Sequence, residues 1–228
     1  MRGVLRAVRR VALVLLAVAL LGAVAVAWRG HALYRRAVSE RGIEEVVASV
    51  RARPGYVSID DLPQTYLDAV VAVEDHRFYE HGGVDVISIG RAAWHDLTTL
   101  SLEQGGSTIT QQLAKNLFLT QDKELARKVA EVFVAWDLEA RYDKREILEL
   151  YVNTAYFGEG CYGIAEASRV LLGKPASEMT PVECTLMAGL PNAPSALAGD
   201  AEAAEARRQV VVGQMEKYGY DVGGLLAE

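Results

Sequence analysis

An unbroken apolar segment near the N-terminus constrains this chain more than any other feature. Eighteen residues from Val11 to Trp28 (VALVLLAVALLGAVAVAW) contain no charged or strongly polar side chain. A helix of that length measures about 27 Å at 1.5 Å per residue, which just spans the hydrocarbon core of a bilayer. The segment therefore predicts a transmembrane anchor over residues 11–28, preceded by a cytoplasmic tail over residues 1–10.

The charges around this segment predict its orientation. Four arginines and no acidic residue precede it, which favours a cytoplasmic N-terminus, although three arginines between residues 29 and 36 weaken the bias. A cleaved signal peptide is the alternative, because Ala23-Val24-Ala25 and Ala25-Val26-Ala27 both fit a small-x-small cleavage site. The apolar length favours a retained anchor. In either case the following residues are expected beyond the membrane, where substrates are lipid-attached or extracellular.

Composition narrows the class of protein. The 228 residues suffice for one ordinary domain plus a further segment, and 51% apolar with 24% charged residues is typical of a globular chain. Lysine and arginine total 24 against 30 aspartates and glutamates, so no broad basic surface is available for nucleic acid. Cys161 and Cys184 match neither a disulfide-rich scaffold nor a zinc site, and we interpret them as small core residues.

The rest of the chain divides by its patterning. Residues 29–55 are mixed and charged, contain one short helical pattern and end at a Pro-Gly stop signal, so we interpret them as a stalk. Residues 56–197 are dense in helical periodicity and show no convincing alternation of apolar and polar residues, which predicts an all-α body. Residues 198–228 are expected to form a last helix and a tail.

One carboxylate falls where an apolar residue is expected. Apolar residues recur at helical spacing at Leu67, Val70, Val71 and Phe78. Glu74 lies between Val71 and Phe78 on the same core-facing side, where an isolated carboxylate is costly unless it is paired, protonated or open to a cleft. Either the helix ends near residue 73 and Glu74 is solvated, or apolar surroundings raise its pKa and suit it to general acid or base catalysis.

A second carboxylate presents the same question. Glu131 lies among apolar residues of a helix predicted over ARKVAEVFVAWDLEARYDK, with Arg127 and Lys128 as its obvious partners. A plain intrahelical ion pair is one interpretation. The other is a catalytic pair with Glu74, because two carboxylates on separate helices suit glycosyl chemistry, which passes through positive charge at the anomeric carbon. The sequence alone does not give their separation.

A glycine loop precedes a helix with one polar face. Gly105-Gly106 is followed by Thr108-x-x-Gln111, a capping-box pattern that marks a helix start. The polar stripe that follows consists of Thr108, Gln111, Gln112 and Lys115. Free N–H groups at a helix start, a hydroxyl and a lysine suit a phosphate or pyrophosphate. A plain amphipathic surface helix is the alternative.

Two features between these segments carry weaker signals. His81 stands without an HExxH pattern or a second histidine at ligand spacing, so a structural hydrogen-bonding role is expected rather than metal ligation. Apolar residues at Ile87, Ile89, Trp94 and Leu97 are candidates for a surface that dips into the lipid, with core packing as the alternative.

Five segments of the body occur in a distinctive order and spacing. They are EDHRFYEHGG, GGSTITQQLAKN, RKVAEVFVAWDLE, KREILELYVNTAYFG and LMAGLPNAPS, and they lie between about Tyr56 and Ser195. These segments resemble the motifs of the bacterial peptidoglycan glycosyltransferases, a family that includes monofunctional transglycosylases and the polymerising domain of bifunctional penicillin-binding proteins. No S-x-x-K, S-x-N or K-T-G set follows, so a monofunctional transglycosylase is expected.

The resemblance implies an all-α, lysozyme-like glycosyltransferase domain that polymerises lipid II, on a single-pass inner-membrane protein with its catalytic domain on the extracytoplasmic side. The donor would be the growing glycan on undecaprenyl pyrophosphate, and the acceptor a new lipid II. Glu74 would deprotonate the 4-hydroxyl of the acceptor as it attacks the anomeric carbon with inversion. Glu131 would organise the site around the leaving pyrophosphate.

The resemblance also implies roles for other residues. Substrate-binding residues would be Ser107, Thr108, Gln111, Gln112, Lys115, Asn116, Lys123, Arg127 and Lys128. Structural motif residues would be Asp75, Phe78, His81, Gly83, Gly105, Gly106, Glu149, Tyr151 and Asn153. No cofactor is obligatory, and although a divalent cation (Mg²⁺ or Mn²⁺) is compatible with the pyrophosphate, the sequence fixes no metal ligand. Expected partners are lipid II, the nascent glycan, the membrane and other cell-wall synthases.

Two other functions stay open at this stage. A lysozyme or lytic transglycosylase would use two carboxylates to cleave glycan, and the phosphate-type face of GGSTITQQ argues against it. A catalytically silent scaffold would bind cell-wall precursors or division proteins, and the presence of both Glu74 and Glu131 argues against that.

Overall fold

The computed structural model describes residues 2–99, 106–119, 125–192, 201–223 and 225. Regular structure in these ranges is helical, and the one strand-like contact among them is an isolated bridge between Tyr156 and Tyr162. The prediction of an all-α fold is therefore confirmed. The helices are α1 (Arg2–Glu40), α2 (Ile43–Arg51), α3 (Gln64–Glu74), α4 (Val86–Thr99), α5 (Ile109–Phe118), α6 (Leu125–Glu139), α7 (Lys144–Val152), α8 (Ile164–Leu172), α9 (Pro181–Gly189) and α10 (Ala201–Lys217), with 3-10 turns at Ile59–Asp61, Ala176–Glu178 and Leu190–Asn192.

Helix α1 contains the predicted anchor and extends beyond it. Its 39 residues measure about 58 Å at 1.5 Å per residue. Among the described residues it is the one helix long and apolar enough to cross a membrane. Past Trp28 it lies along α6, where a Cβ on Gly30 would meet Val129 Cβ at 2.5 Å and the Tyr34 hydroxyl donates to Asp137 at 2.7 Å. The anchor therefore continues into the body as one packed helix.

The short helical pattern of residues 29–55 forms α2. Its apolar residues Val46, Val47 and Val50 are all buried, each at 3% exposure or less. They belong to the same hydrophobic core as the helices that follow. Part of the segment that we interpreted as a stalk therefore contributes to the core of the body.

The core forms around α3, which contacts α9 and α10, while α5 lies between α6 and α7. Its largest fully buried side chains include Tyr66, Phe78, Leu113, Leu138, Leu148 and Tyr151. Cys161 and Cys184 are buried and free, which confirms the interpretation of both as small core residues. Packing from several directions fixes the end of α3, which carries Glu74, and the face of α5, which carries the predicted substrate-binding residues Gln112 and Lys115.

The start of α5 has the geometry that the capping pattern predicts. Thr108 Oγ1 accepts the N–H of Gln111 at 3.1 Å, and Gln111 Oε1 accepts the N–H of Thr108 at 3.0 Å. The two bonds fix the first turn of α5, and with it the face on which the later residues of the helix lie.

Helix α4 presents apolar side chains to solvent. Val86, Ile87 and Trp94 are exposed at 75%, 57% and 70%. At these positions the structure favours an exposed apolar surface over core packing. The side chain of Leu97 lies outside the described residues.

Candidate active site

Residues from α3, α5, α6 and α10 enclose a cleft of about 650 Å³. The two predicted carboxylates, Glu74 and Glu131, both line it. The predicted substrate-binding residues on its wall are Ser107, Gln112, Lys115 and Lys128. The structure therefore brings carboxylates from two helices together with the polar face of α5.

Glu74 is the last residue of α3, so the helix ends close to where one interpretation placed it. Its carboxylate is nevertheless engaged by protein groups. Oε2 accepts a hydrogen bond from Gln112 Nε2 at 2.7 Å, and Oε1 accepts one from Asn192 Nδ2 at 2.7 Å. Burial raises the pKa of Glu74, while the amide bonds and the charges of Arg207 and Lys115 oppose the rise. A carboxylate held by neutral donors, with a raised pKa, is suited to accept a proton.

Gln112 is held in turn by the core. Tyr151 is buried in α7, and its hydroxyl donates to Gln112 Oε1 at 3.3 Å. Because this bond uses the carbonyl end of the amide, the Nε2 end is directed to Glu74. Tyr151, which the motif resemblance marks as structural, thus orients the partner of the candidate base.

Glu131 lies in α6 with its side chain fully buried. Arg127, one turn earlier, donates to Oε1, and Lys128 Nζ lies 2.7 Å from Oε2. The interpretation as an intrahelical ion pair is confirmed, and the same carboxylate also lines the cleft. Lys128 Nζ further donates to Ser107 Oγ at 2.8 Å, and 48% of its side chain is exposed. Glu131 therefore holds two cations, one of which faces the cleft.

Lys115 brings a third positive charge to this wall. Burial lowers the pKa of Lys115, and the charge of Glu131 opposes that change. Lys128 and Arg127 lower the pKa of Lys115 further, so the three cations lie within electrostatic reach of one another. Such a cluster in a partly enclosed cleft attracts an anion, and a phosphate is the natural class.

Asp75 and His81 join the end of α3 to the start of α5. His81 Nε2 lies 2.8 Å from Asp75 Oδ1, and Asp75 Oδ2 accepts the N–H of Ile109 at 3.1 Å. The structure therefore gives His81 the hydrogen-bonding role expected of it. Asp75, His81 and Asp85 place metal-ligand atoms within 4.8 Å of one another. Asp85, however, accepts two backbone N–H bonds at the start of α4, so all three side chains have partners within the protein.

Several predicted substrate-binding residues do not reach the cleft. Thr108 donates to the carbonyl of Gly83 at 2.7 Å and, like Gln111, is otherwise occupied by the cap of α5. Arg127 lies behind Glu131 as its ion partner, and Asn116 borders a neighbouring hollow. Gly105 and Lys123 lie outside the described residues. The substrate roles of these residues stay predictions.

The other motif residues make contacts within the protein. Phe78 is fully buried, and a Cβ on Gly83 would lie 2.9 Å from the backbone of Ala135, so the loop before α4 touches α6 directly. Gly106 would bring a Cβ to ordinary contact distance of Ile89, and it precedes the cap of α5. These contacts hold the loops around the cleft against the helices.

Glu149 and Asn153 of the fourth motif fasten the segment that leads into α3. Glu149 accepts bonds from the Tyr56 hydroxyl at 2.5 Å and from the N–H of Ile59 at 2.8 Å. Asn153 accepts the N–H of Val57 at 2.9 Å. The bonds span between 90 and 96 positions of sequence and hold the segment that leads into α3.

Sequence reasoning missed part of the site. Asn192 lies in the segment that matches the fifth motif, yet its bond to Glu74 was not foreseen. Arg207 comes from α10, lines the cleft and donates from Nε to the carbonyl of Gly189 at 2.9 Å. The cleft is also lined by Gln214, Lys217 and Tyr218 from the end of α10. The Ala-, Glu- and Arg-rich composition of that helix carries no signal of such a role.

Comparison with known proteins agrees with this geometry. A family model described as Transglycosylase matches residues 41–216. Penicillin-binding protein 1F of Bacillus subtilis is 39% identical over 214 residues, 89% of this chain and 30% of that protein. A Cupriavidus necator protein described as a transglycosylase is 45% identical over 152 residues, 67% of this chain and 65% of that protein. Penicillin-binding protein 1A of Vibrio cholerae is 45% identical over 166 residues, 71% of this chain and 20% of that protein.

The chain spans slightly less than two thirds of the length of one of these relatives and less than a third of the other two. The matched residues run from the start of α2 to the end of α10 and include Glu74, Glu131 and the cation cluster. With the cleft and most of the chain inside the match, the protein belongs to the transglycosylase family.

Proposed function

We propose that this protein is a peptidoglycan glycosyltransferase that polymerises lipid II. It transfers the glycan from an undecaprenyl-pyrophosphate-linked donor to the 4-hydroxyl of an acceptor lipid II, with inversion, and releases undecaprenyl pyrophosphate. One observation carries the proposal: Glu74 is held by two neutral amides, and Lys115 and Lys128 line the same cleft, with Arg127 paired to Glu131 behind them. A proton acceptor and an anion site in one cleft are what this reaction requires.

Glu74 acts as the general base. As the acceptor oxygen attacks the anomeric carbon, its proton passes to Glu74, the new C–O bond forms, and the bond from the anomeric carbon to the phosphate oxygen breaks. The raised pKa of Glu74 makes it a stronger base than a solvated glutamate. Gln112 and Asn192 stabilise the carboxylate before the transfer and keep it aimed into the cleft.

The cation cluster stabilises the leaving group. Negative charge grows on the pyrophosphate as its bond to the sugar breaks, and fixed positive charges stabilise that charge at no cost of reorganisation. Glu131 is the positioning residue of this cluster, because it holds Arg127 and Lys128 by ion pairs within one helix. Its burial leaves it without the open position that a nucleophile needs.

No step of the proposed reaction depends on a metal ion. Mg²⁺ and Mn²⁺ prefer carboxylate and phosphate oxygens, and both carboxylate oxygens of Glu131 already face cations. Glu131 is therefore not a ready ligand for a divalent cation beside the pyrophosphate. The side chains themselves supply the positive charge.

The membrane arrangement is part of the proposal. Helix α1 anchors the protein, with the cleft on the extracytoplasmic side, and the exposed apolar residues of α4 contact the lipid surface. Confinement to the surface where lipid-linked substrates diffuse raises their effective concentration without any further contact.

The test is a polymerisation assay with purified full-length protein and lipid II. We expect Glu74→Gln to lower the rate at least about 100-fold, a common contribution of a general base. Glu80→Gln, at an exposed carboxylate of the same loop, is the matched control and should retain activity. Incubation with finished glycan strands completes the assay. Cleavage of strands without growth of polymer would assign the protein to the lytic enzymes instead.

A further inference from the structure

A second surface hollow adjoins the catalytic cleft on the side of α5 where the helix ends. A hollow of about 900 Å³ shares Gln112 and Lys115 with the cleft. A further one of about 500 Å³ shares Arg53 and Tyr162 with the first. We call these two connected hollows the tyrosine groove, lined by Arg53, Tyr56, Tyr151, Tyr156, Tyr162 and Arg169. Nothing in the proposed reaction uses its outer end.

Two tyrosine rings are presented on the surface of this groove. Tyr156 and Tyr162 are 40% and 60% exposed, and their ring centroids lie 5.0 Å apart. The turn between them is closed by two backbone hydrogen bonds and includes Glu159 at φ 51°, in the left-handed region. At its end, a Cβ on Gly163 would lie 2.7 Å from the carbonyl of Asn153. A turn so constrained holds both rings outward, although core packing does not require them there.

The outer end of the groove carries unused positive charge. Arg53 and Arg169 line it, and within the described part of the chain neither forms an ion pair. The acidic residue beside them, Glu166, accepts the backbone N–H of Tyr162 at 3.0 Å. The aromatic rings and free guanidinium groups together suit a ligand that has both sugar faces and carboxylates.

The opposite end of the cleft sets the direction of the substrate. Ser107 and Lys128 line both the cleft and an apolar hollow of about 850 Å³ bordered by α1 at Val26 and Ala27. A lipid-linked sugar must keep its lipid at that end, beside the anchor. The saccharide part then extends past Lys115 toward the tyrosine groove.

We propose that the tyrosine groove is an extended subsite for the peptide-bearing part of the glycan. Tyr156 and Tyr162 pack on sugar rings, and Arg53 and Arg169 pair with carboxylates of the peptide arms. This inference rests on the proposed function and names a part of the substrate that the reacting groups do not contact.

The experiment compares two lipid II substrates, one with its full peptide arm and one with the arm trimmed to a neutral amide. The readout is the kcat/KM for the substrate with the full peptide arm divided by the kcat/KM for the trimmed substrate. In the double variant Arg53→Ala/Arg169→Ala we expect this ratio to fall about tenfold, since each partly exposed ion pair contributes up to about fivefold. Arg53→Lys/Arg169→Lys should keep most of the ratio. Arg41→Ala, at an exposed arginine that lines neither the cleft nor the tyrosine groove, should leave it unchanged.

A binding measurement separates this inference from the proposed function. Calorimetry with the full-length Glu74→Gln protein and a soluble, peptide-bearing tetrasaccharide should show binding that weakens on removal of the two arginines, and that also weakens in Tyr162→Ala. If the wild type polymerised neither substrate, the proposed function would fail while this measurement still tested the groove. Two results would overturn the subsite. One is an equal loss of kcat/KM for both lipid II substrates in the double variant, and the other is a tetrasaccharide affinity that does not change when the two arginines are replaced.

Discussion

At the scale of single residues, the site depends on how Glu74 is held without a bonded cation. Glu131 and Glu149 show the other arrangements available to a carboxylate in this fold: two ion pairs for one, and hydroxyl and backbone donors for the other. Of these three carboxylates, only Glu74 combines neutral amide donors with an open cleft. Its proton affinity is therefore set by burial against two hydrogen bonds and the charges of Arg207 and Lys115, and each bond can be removed separately.

Removal of one bond should move the pH profile of the enzyme. In the proposed mechanism, activity needs deprotonated Glu74, so it is lost as pH falls through the pKa of that residue, which burial raises above that of a solvated glutamate. Asn192→Ala removes a donor that stabilises the carboxylate, so the pKa rises further and the acidic limb of the kcat/KM profile moves to higher pH. Gln209→Ala, an amide bonded to Glu205 instead, is the control. A limb that stays in place or moves to lower pH would contradict the role of Asn192.

At the scale of elements, two short contacts fix the helices around the cleft. The cap of α5 ties Thr108 to the carbonyl of Gly83, and thereby to the loop that approaches α6. The close approach at Gly30 ties α1 to the same helix. Helix α6 carries Glu131, so both contacts position the cation cluster indirectly. Each of them can be tested by stability rather than by rate.

The cap of α5 should contribute measurably to stability. Thr108→Ala removes a capping oxygen and the bond to Gly83, and we expect the free energy of unfolding to fall by about 1–2 kcal/mol. Thr108→Ser keeps the hydroxyl and should lose much less. The measurement is denaturant unfolding in detergent micelles. Equal losses for the two substitutions would show that the hydroxyl is not the stabilising group.

The contact between α1 and α6 should tolerate no added carbon. Gly30→Ala would place Cβ 2.5 Å from Val129 Cβ, so the helices must separate and the melting temperature should fall, despite the better helix propensity of alanine. Gly22→Ala makes the same change where no atom lies within 4 Å, and it should leave the melting temperature unchanged or slightly raised. Equal behaviour of the two variants would mean that α1 does not pack on α6 in the membrane.

At the scale of the whole molecule, three hollows follow one another along the protein. An apolar hollow beside α1, the catalytic cleft and the tyrosine groove share lining residues at each junction. The lipid, the pyrophosphate and the saccharide of the proposed donor would need these surfaces in the same order. The anchor therefore contributes to the site both by its position in the bilayer and by the residues that it places at the lipid end.

Loss of the anchor should affect the enzyme only where substrates lie in a bilayer. A chain without residues 2–28 should polymerise lipid II in vesicles at least about 100-fold more slowly, because confinement to the surface is lost. With detergent-dispersed substrate the difference should shrink sharply, and a similar melting temperature would show that the body is intact. Equal rates in vesicles would exclude a role for the anchor in substrate capture.

The signals that sequence reasoning could use were short in range. The periodicity of α3 and α6 exposed Glu74 and Glu131 as anomalies, and the capping pattern located the start of α5, because each depends on residues within a few turns. The same reasoning assigned Thr108 and Gln111 to substrate, although the cap and the Gly83 contact engage the Thr108 hydroxyl and Gln111 Oε1. The local sequence pattern shows which positions on a helix face are polar. It does not show which hydrogen-bond partners those side chains have in the folded protein.

The amino-acid sequence by itself determined the helices, the apolar anchor and the two carboxylates that stand among apolar neighbours. Only the tertiary structure decided what those carboxylates do. Gln112 and Asn192 reach Glu74 across 38 and 118 positions, and Tyr151 reaches Gln112 across 39. Contacts so distant depend on how α3, α5, α7 and the turn after α9 pack together. The physical reason is that the pKa and aim of a carboxylate are set by its neighbours in space, which no local pattern specifies.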